Sequence, residues 1–473
     1  MKGMEEMELV KKKEACCGCR TCEKVCPKQA ITMVEDACGF LYPQIDESKC
    51  VNCGLCLQKC AFQSGYKTRK EFEPFYGYGA RHKLEKIYMR SRSGGAFVAI
   101  SSHIIDQKGA IYGAGYSKDK GFHRVIHKRA TTKRSRNEFC GSKYVQSDLK
   151  GTFLSIKKDL ENGKLVLFSG TGCQVGALHT YLGKEYDNLY TIDIVCHGAP
   201  SPKIWDDFLT MREKEYGQPI KSVMFRNKRK YGWTDHRETV RFENRRVSSR
   251  IYSKLFSQGV LFRPSCYECV YANTNRPGDI TIADFWGHED VDVLADKWND
   301  DKGISLVLIN NKHGMKIWEE SRDQMDWVDC TGYPFRHQNM KRSTTKSERY
   351  EEFWEDYIQH GFEYCAEKYV KYRVKRPIVV SEENMEQTPS ASSSDIEGDI
   401  LEHEMDDEND VIQEELENVN AENDIIQEET KNGNAENDHI QQETENELSE
   451  NSKVANRFRK KIGGLFKKKS GRK

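Results

Sequence analysis

Two runs of four cysteines at identical spacing limit what this chain can fold into more than any other feature. The first reads Cys16-Cys17-Gly18-Cys19-Arg20-Thr21-Cys22-Glu23-Lys24-Val25-Cys26-Pro27. The second reads Cys50-Val51-Asn52-Cys53-Gly54-Leu55-Cys56-Leu57-Gln58-Lys59-Cys60. Each is C-x2-C-x2-C-x3-C, a spacing that ligates cubane iron–sulfur clusters. Three thiolates on one tight loop face a single cluster, and the fourth reaches the other cluster. This assigns Cys16, Cys19, Cys22 and Cys60 to one [4Fe-4S] cluster, and Cys50, Cys53, Cys56 and Cys26 to a second. Gly18 and Gly54 let the backbone wrap the cluster. Zinc also uses paired C-x2-C, but a zinc ribbon takes two pairs and not two matched quartets. Ala61 stands where a proline would usually follow the second quartet. Cys17 and Cys38 fall off register and read as packed thiols.

The chain has 473 residues and 17 cysteines. Its start has no apolar core of a secretory signal, so ligation is expected rather than disulfides, in a cytoplasmic setting. No window approaches the run of about 18 apolar residues that a membrane span needs. The formal charge of zero hides an asymmetry. Residues 381–450 hold 25 acidic residues against Lys431 alone, whereas residues 451–473 hold 10 basic residues and no acid. The folded part is therefore expected within the first 380 residues.

Beyond residue 65 the pattern alternates between strands and helices. Ala96–Ile100 with Ile104-Ile105 reads as a helix. Leu165–Phe168 reads as a buried strand ending in a loop at Ser169-Gly170, followed by a helix over Val175–Leu182. Leu189–Val195 reads as a strand ending at Cys196-His197-Gly198. Asp279–Asp284 and Ile304–Ile309 read as further strands, with a helix from about Met315 to Arg322. Strand ends are where α/β proteins place ligands. Cys173, Cys196, Cys266 and Cys269 fall there and form a candidate third cluster. The alternative is two small buried thiols and a lone C-x2-C pair. Cys140, Cys330 and Cys365 read as structural.

Several motifs in order carry a resemblance. They are Ser91-Arg92-Ser93-Gly94-Gly95, Gly141-Ser142-Lys143-Tyr144-Val145-Gln146-Ser147 and Gly170-Thr171-Gly172-Cys173-Gln174-Val175. Asp193-Ile194-Val195-Cys196-His197-Gly198-Ala199-Pro200 and Phe225-Arg226-Asn227-Lys228 follow. Arg263-Pro264-Ser265-Cys266-Tyr267-Glu268-Cys269 and Ala283-Asp284-Phe285-Trp286-Gly287 complete the set. Over residues 10–350 the chain resembles the beta subunits of coenzyme F-420 hydrogenase and dehydrogenase, with a two-cluster ferredoxin domain fused in front. Gly172 stands where that family usually has Pro, and Ala283 where Gly is common.

The resemblance implies an α/β (α+β) fold: a small ferredoxin-like domain at 8–68 and a mixed α/β flavin-binding body. The body's N-terminal part spans 75–155 and its C-terminal part 156–350, with a helical extension at 351–380. It also implies electron exchange between iron–sulfur clusters and a flavin, usually FAD, with hydride passed to or from a substrate. A donor or acceptor protein, or a small-molecule reductant, would be the partner, and surface polysaccharide synthesis a setting. The residues agree. Ser93, Gly94 and Gly95 offer backbone donors at a helix start for a pyrophosphate. Ser142, Lys143 and Tyr144 add a hydroxyl, a cation and a stacking ring. His197 can relay a proton or serve a structural role. A subunit that keeps the clusters without flavin is the competing expectation.

The tail is separate. From Glu408 a 14-residue unit repeats three times, with too few aliphatics for a coiled coil, so 381–450 reads as a disordered acidic spacer. In 451–473, Phe458, Ile462, Leu465 and Phe466 lie on one helical face among Lys and Arg. This fits contact with an anionic membrane surface. Pairing with the acidic spacer or binding of another polyanion are the alternatives. No specific nucleic-acid signature is present.

Overall fold

Ser305-Leu306-Val307-Leu308-Ile309 is buried at every position, as expected of a strand covered on both faces. It lies inside an eight-stranded mixed sheet. The computed structural model describes residues 9–64, 68–73, 75–333 and 335–374, and the backbone of 400–401. By contacts it divides into two units, Met1–Val240 with Ser248–Asp399, and Arg241–Val247 with Ile400–Lys473. The first unit holds both cysteine quartets and the sheet.

The N-terminal hairpin is β1 (Ile31–Glu35) and β2 (Leu41–Ile45), antiparallel. The body contributes β3 (Tyr76–His82), β4 (Ala110–Tyr116), β5 (Val125–Ala130), β6 (Val166–Thr171) and β7 (Leu189–Ile194). Three short strands follow, β8 (Ser222–Phe225), β9 (Glu238–Arg241) and β10 (Arg246–Ser249). The last three are β11 (Ile280–Asp284), β12 (Ser305–Ile309) and β13 (Met325–Asp329). The large sheet has the order β13-β3-β12-β11-β7-β6-β4-β5. β4, β6, β7 and β11 run parallel, while β12 and β5 are antiparallel to their neighbours. The two parts of the body thus share one sheet.

Alternation along the strands sorts side chains into two cores. Leu167, Ile192, Ile280, Val307 and Ile309 face helices Ala96–Asp106 and Lys312–Ser321. Val166, Phe168 and Leu189 face helices Thr152–Glu161 and Gly172–Leu182. Each fully buried aliphatic side chain contributes about 1.5–3 kcal/mol.

The expected elements are present with shifted ends. Helix Lys312–Ser321 begins three residues before Met315 because Asn311 caps it, accepting from the Gly314 N–H at 2.8 Å. The expected loop after Phe168 is absent: β6 runs to Thr171 and the next helix starts at Gly172. The Thr171 N–H donates to Gln174 Oε1 at 3.0 Å, closing that junction. Gly172 is therefore the first helical residue, a position that also suits proline, and Cys173 is held in a helical first turn. Of the extension, helix Tyr350–Val370 is described, interrupted at Gly361 (φ 79°). The acidic spacer, apart from the extended pair Ile400–Leu401, and the basic tail lie outside the described residues.

Candidate functional site

The structure brings each cysteine quartet together across the two runs. Cys22 lies within electrostatic reach of Cys19, Cys16 and Cys60. Cys56 has Cys53 and Cys26 as neighbours, and all four cysteines of that set border one small pocket with Ile31 and Ile45. The Ala30 N–H points at Cys26 Sγ at 3.3 Å. Arg20 and Asn52 join Gly18 and Gly54 at positive φ, which tightens each loop.

The first quartet is docked on the body. Arg263 is 1% exposed. It donates through Nε to the Cys16 carbonyl at 2.5 Å, and through Nη2 to the Leu41 carbonyl at 2.8 Å. Its Nη2 stands 3.4 Å from Cys16 Sγ, and the guanidinium lies 4.2 Å from the Tyr42 ring centre. Gln146 donates to the Cys17 carbonyl at 2.9 Å. Arg20 pairs with Asp148 at 2.5 Å.

Over the carboxyl ends of β4, β6, β7 and β11 lies a cavity of about 600 Å³, the position ligands take in open α/β sheets. Cys173, Cys196, Cys266 and Cys269 all border it, together with Cys17. Cys266 lies within electrostatic reach of Cys196, Cys173 and Cys269. The Ala199 N–H donates to Cys266 Sγ at 3.3 Å. A buried cation also stands beside this set. Arg276 donates to Asp193 at 2.9 Å and to the Tyr271 carbonyl at 2.7 Å.

Other residues bordering the cavity, among them Tyr144, Phe256, Trp286, Arg226 and Asp284, are aromatic and polar. Tyr144 packs edge-on against Phe225 at 5.1 Å and beside Phe256 at 4.8 Å. Trp286 stacks on Trp233 at 4.5 Å. Asp284 accepts from Arg226 at 2.6 Å and from Trp233 Nε1 at 2.8 Å, which ties two of the sequence motifs to each other. Arg226 holds this position with φ of 55°, uncommon for a residue other than glycine.

Residues 163–329 match the family model for the C terminus of the coenzyme F-420 hydrogenase/dehydrogenase beta subunit. Residues 15–64 match that of a 4Fe-4S dicluster domain. The chain is similar to that beta-subunit family, with a dicluster ferredoxin region in front. The two matches together show an iron–sulfur, electron-transfer protein of an oxidoreductase type. No curated protein matches the chain. Among solved structures, a chain of the F-420-reducing nickel–iron hydrogenase complex from Methanosarcina barkeri aligns at 15% identity with a TM-score of 0.39. That alignment covers 64% of this chain and 91% of the other. No described helix is long and apolar enough to cross a membrane.

Of the residues expected to hold a flavin, Ser93, Gly95, Ser142, Lys143 and Tyr144 border the cavity. Gly94 departs from that expectation. Its N–H donates to Ser305 Oγ at 2.9 Å, and a Cβ there would collide with the Ala80 carbonyl. It is glycine because the loop lies directly on β3 and β12. Ser93 Oγ likewise turns inward, donating to the Ile304 carbonyl at 2.6 Å. The surface left to a ligand is the first turn of helix Ala96–Asp106, where Gly95, Ala96, Phe97 and Val98 face the cavity.

Lys143 donates to the carbonyls of Glu138 at 2.7 Å and Gly141 at 3.1 Å. Burial pulls its pKa down to about 8. It braces its own loop as well as facing the cavity. His197 borders the cavity with His236 and His337, and burial, then the proximity of His337, lowers its pKa. It is therefore a neutral imidazole at neutral pH.

Sequence reasoning assigned no role to Arg263, Arg226, Asp284 or Trp286, although each stands in a quoted motif. It also set Cys140 aside as structural, and that residue borders the cavity. Cys330 and Cys365 are buried.

Proposed function

We propose that this protein passes electrons between its ferredoxin-type [4Fe-4S] clusters and a flavin, FAD by the family resemblance, bound in the cavity and reacting with a substrate there. The observation that carries this reading is one cavity bordered at once by the Gly95 turn, the Ser142-Lys143-Tyr144 loop and four convergent cysteines. Cys173, Cys196, Cys266 and Cys269 would hold a third cluster between the ferredoxin region and the flavin. Clusters exchange single electrons and a flavin exchanges pairs, which is the reason for joining them in one chain.

The residues fit such a ligand. A volume of about 600 Å³ lies within the range of small-molecule and cofactor sites. Tyr144 and Trp286 supply ring walls, and the start of helix Ala96–Asp106 would turn its positive end toward phosphate through Gly95 and Phe97, the Ala96 N–H itself reaching Ser305 Oγ at 3.4 Å. Neutral His197 is able to take or give a proton at the cavity wall. A donor or acceptor protein, or a small-molecule reductant, would meet the second quartet at Cys53, its exposed member. The basic end of the chain would rest on an anionic membrane.

The test is composition of the anaerobically purified full-length protein. The reading requires about twelve iron atoms, four per cubane, and a flavin absorbance band that persists once the clusters are removed. About eight iron atoms and no flavin would make the protein an electron-transfer or scaffold subunit instead.

A further inference from the structure

Gln174 is the third residue of helix Gly172–Leu182 and closes its start, where the Thr171 N–H donates to Gln174 Oε1 at 3.0 Å. A cap of this kind uses only an oxygen, so glutamate serves it as well as glutamine. The amide nitrogen is surplus to the cap. Gln174 is 9% exposed and borders the cavity. An N–H buried there without an acceptor costs about 1–3 kcal/mol.

The hydrogen bonds around this amide have one consistent direction. The Ser169 carbonyl can only accept, so His127 donates to it through Nε2 at 3.1 Å. Burial holds that ring neutral, which leaves Nδ1 as an acceptor. Ser147 therefore donates its O–H to His127 Nδ1 at 2.9 Å and accepts from Gln174 Nε2 at 3.0 Å. One amide proton of Gln174 is taken by Ser147, and the other meets no acceptor among the described residues. The amide is not free to turn over, because Thr171 pins its oxygen and Ser147 its nitrogen.

We propose that Gln174 is a flavin-binding residue, whose second amide N–H donates to a ring oxygen or nitrogen of the flavin in the cavity. This rests on the flavin reading given under Proposed function. A ring atom suits the position better than a phosphate. Gln174 adjoins Cys173, and Cys196, Cys266 and Cys269 border the same cavity; as cluster ligands these four are thiolates, which repel an anion and tolerate a neutral acceptor. The phosphates are served by the Gly95 turn and Lys143 instead. The ring edge that meets Gln174 is thereby brought to the cysteine set with which it exchanges electrons. A donor at that edge stabilises the electron-rich reduced ring more than the oxidised one, and so raises the flavin potential.

The test compares the full-length, anaerobically purified wild-type protein with Gln174→Ala, Gln174→Glu and Ser147→Ala. Iron content, equilibrium affinity for FAD and potentiometric titration of the flavin absorbance are measured on each. In Gln174→Ala, at unchanged iron content, affinity for FAD should fall about two- to tenfold, the range of one neutral hydrogen bond. Its flavin midpoint potential should fall as well. Gln174→Glu keeps the cap oxygen but donates nothing, and should lower the potential further. Ser147→Ala removes the tie between loop and helix and leaves the cavity N–H in place, so its flavin potential should stay at the wild-type value. Equal falls in Ser147→Ala and Gln174→Ala would make Gln174 a brace for the loop and overturn the contact. An unmoved potential in Gln174→Ala would overturn it too, as would loss of about four iron atoms there, one cubane, which would place the effect at Cys173. A wild-type protein that binds no FAD would remove the flavin reading itself, and this contact with it.

Discussion

The two cysteine quartets share one spacing and meet opposite surroundings. Around the first, a Cβ added at Gly18 would stand 2.8 Å from Arg263 Nη1 and 3.1 Å from Gln146 Nε2. Around the second, a Cβ at Gly54 would meet nothing within 4 Å, and Cys53 is exposed. One loop is pressed against the body that carries the cavity; the other faces solvent. Spacing alone fixes which sulfurs can share a cluster, and surroundings give the pair a direction. The first quartet is the inner one and the second is the outer one.

Breaking the inner contact should have the largest effect. Arg263→Ala removes the donor to two half-buried carbonyls, those of Cys16 and Leu41, each bond involving a charged partner, and should cost about 3–5 kcal/mol. Denaturant unfolding of the reconstituted protein would measure this. A loss under about 1 kcal/mol would mean that the inner quartet is not anchored through Arg263.

The inner side should also be the more acid-sensitive. His127 borders the cavity, donates its Nε2–H to the Ser169 carbonyl (3.1 Å) and accepts at Nδ1 from Ser147 Oγ (2.9 Å), and burial lowers its pKa to about 4. The unfolded chain takes up this proton near the ordinary value of 6.5. Stability from this residue is therefore complete above about pH 6.5 and is lost as pH falls toward about 4, by about 3 kcal/mol. His127→Gln should flatten the dependence of unfolding free energy on pH across that window. An unchanged slope would remove His127 from the account.

A paired substitution sharpens the contrast most economically. Gly18 and Gly54 both have positive φ, 72° and 70°. Gly54→Ala should cost only the left-handed backbone penalty of about 1–2 kcal/mol. Gly18→Ala should cost more, because Arg263 must also be displaced. Equal losses on thermal or denaturant unfolding would mean that the two loops are not differently packed.

What the sequence made legible is what local spacing encodes. The cluster pattern lies within a few residues of chain, and strands such as Ser305–Ile309 announce themselves by a continuous apolar run, Leu306-Val307-Leu308-Ile309. Of the cavity's cysteines, expected at strand ends, Cys196 follows β7; Cys173 belongs to a helix that begins one turn earlier than periodicity suggests, and Cys266 and Cys269 lie in and after the short turn Pro264–Cys266. Partners distant in sequence left no such mark. Arg263 meets Cys16 across 247 residues of chain, and Gly94 meets Ser305 across 211.

The central claim, a path from the outer quartet through the inner one to the cavity, is tested most directly by removing the outer cluster alone. In full-length Cys53→Ala, about four iron atoms should be lost, because a cubane short of one thiolate is labile. Reduction of the bound flavin by a reduced small ferredoxin, followed by anaerobic stopped-flow absorbance, should then slow at least tenfold relative to wild type, with flavin content unchanged. Flavin reduction at the wild-type rate in a protein that has lost the outer cluster would contradict the account.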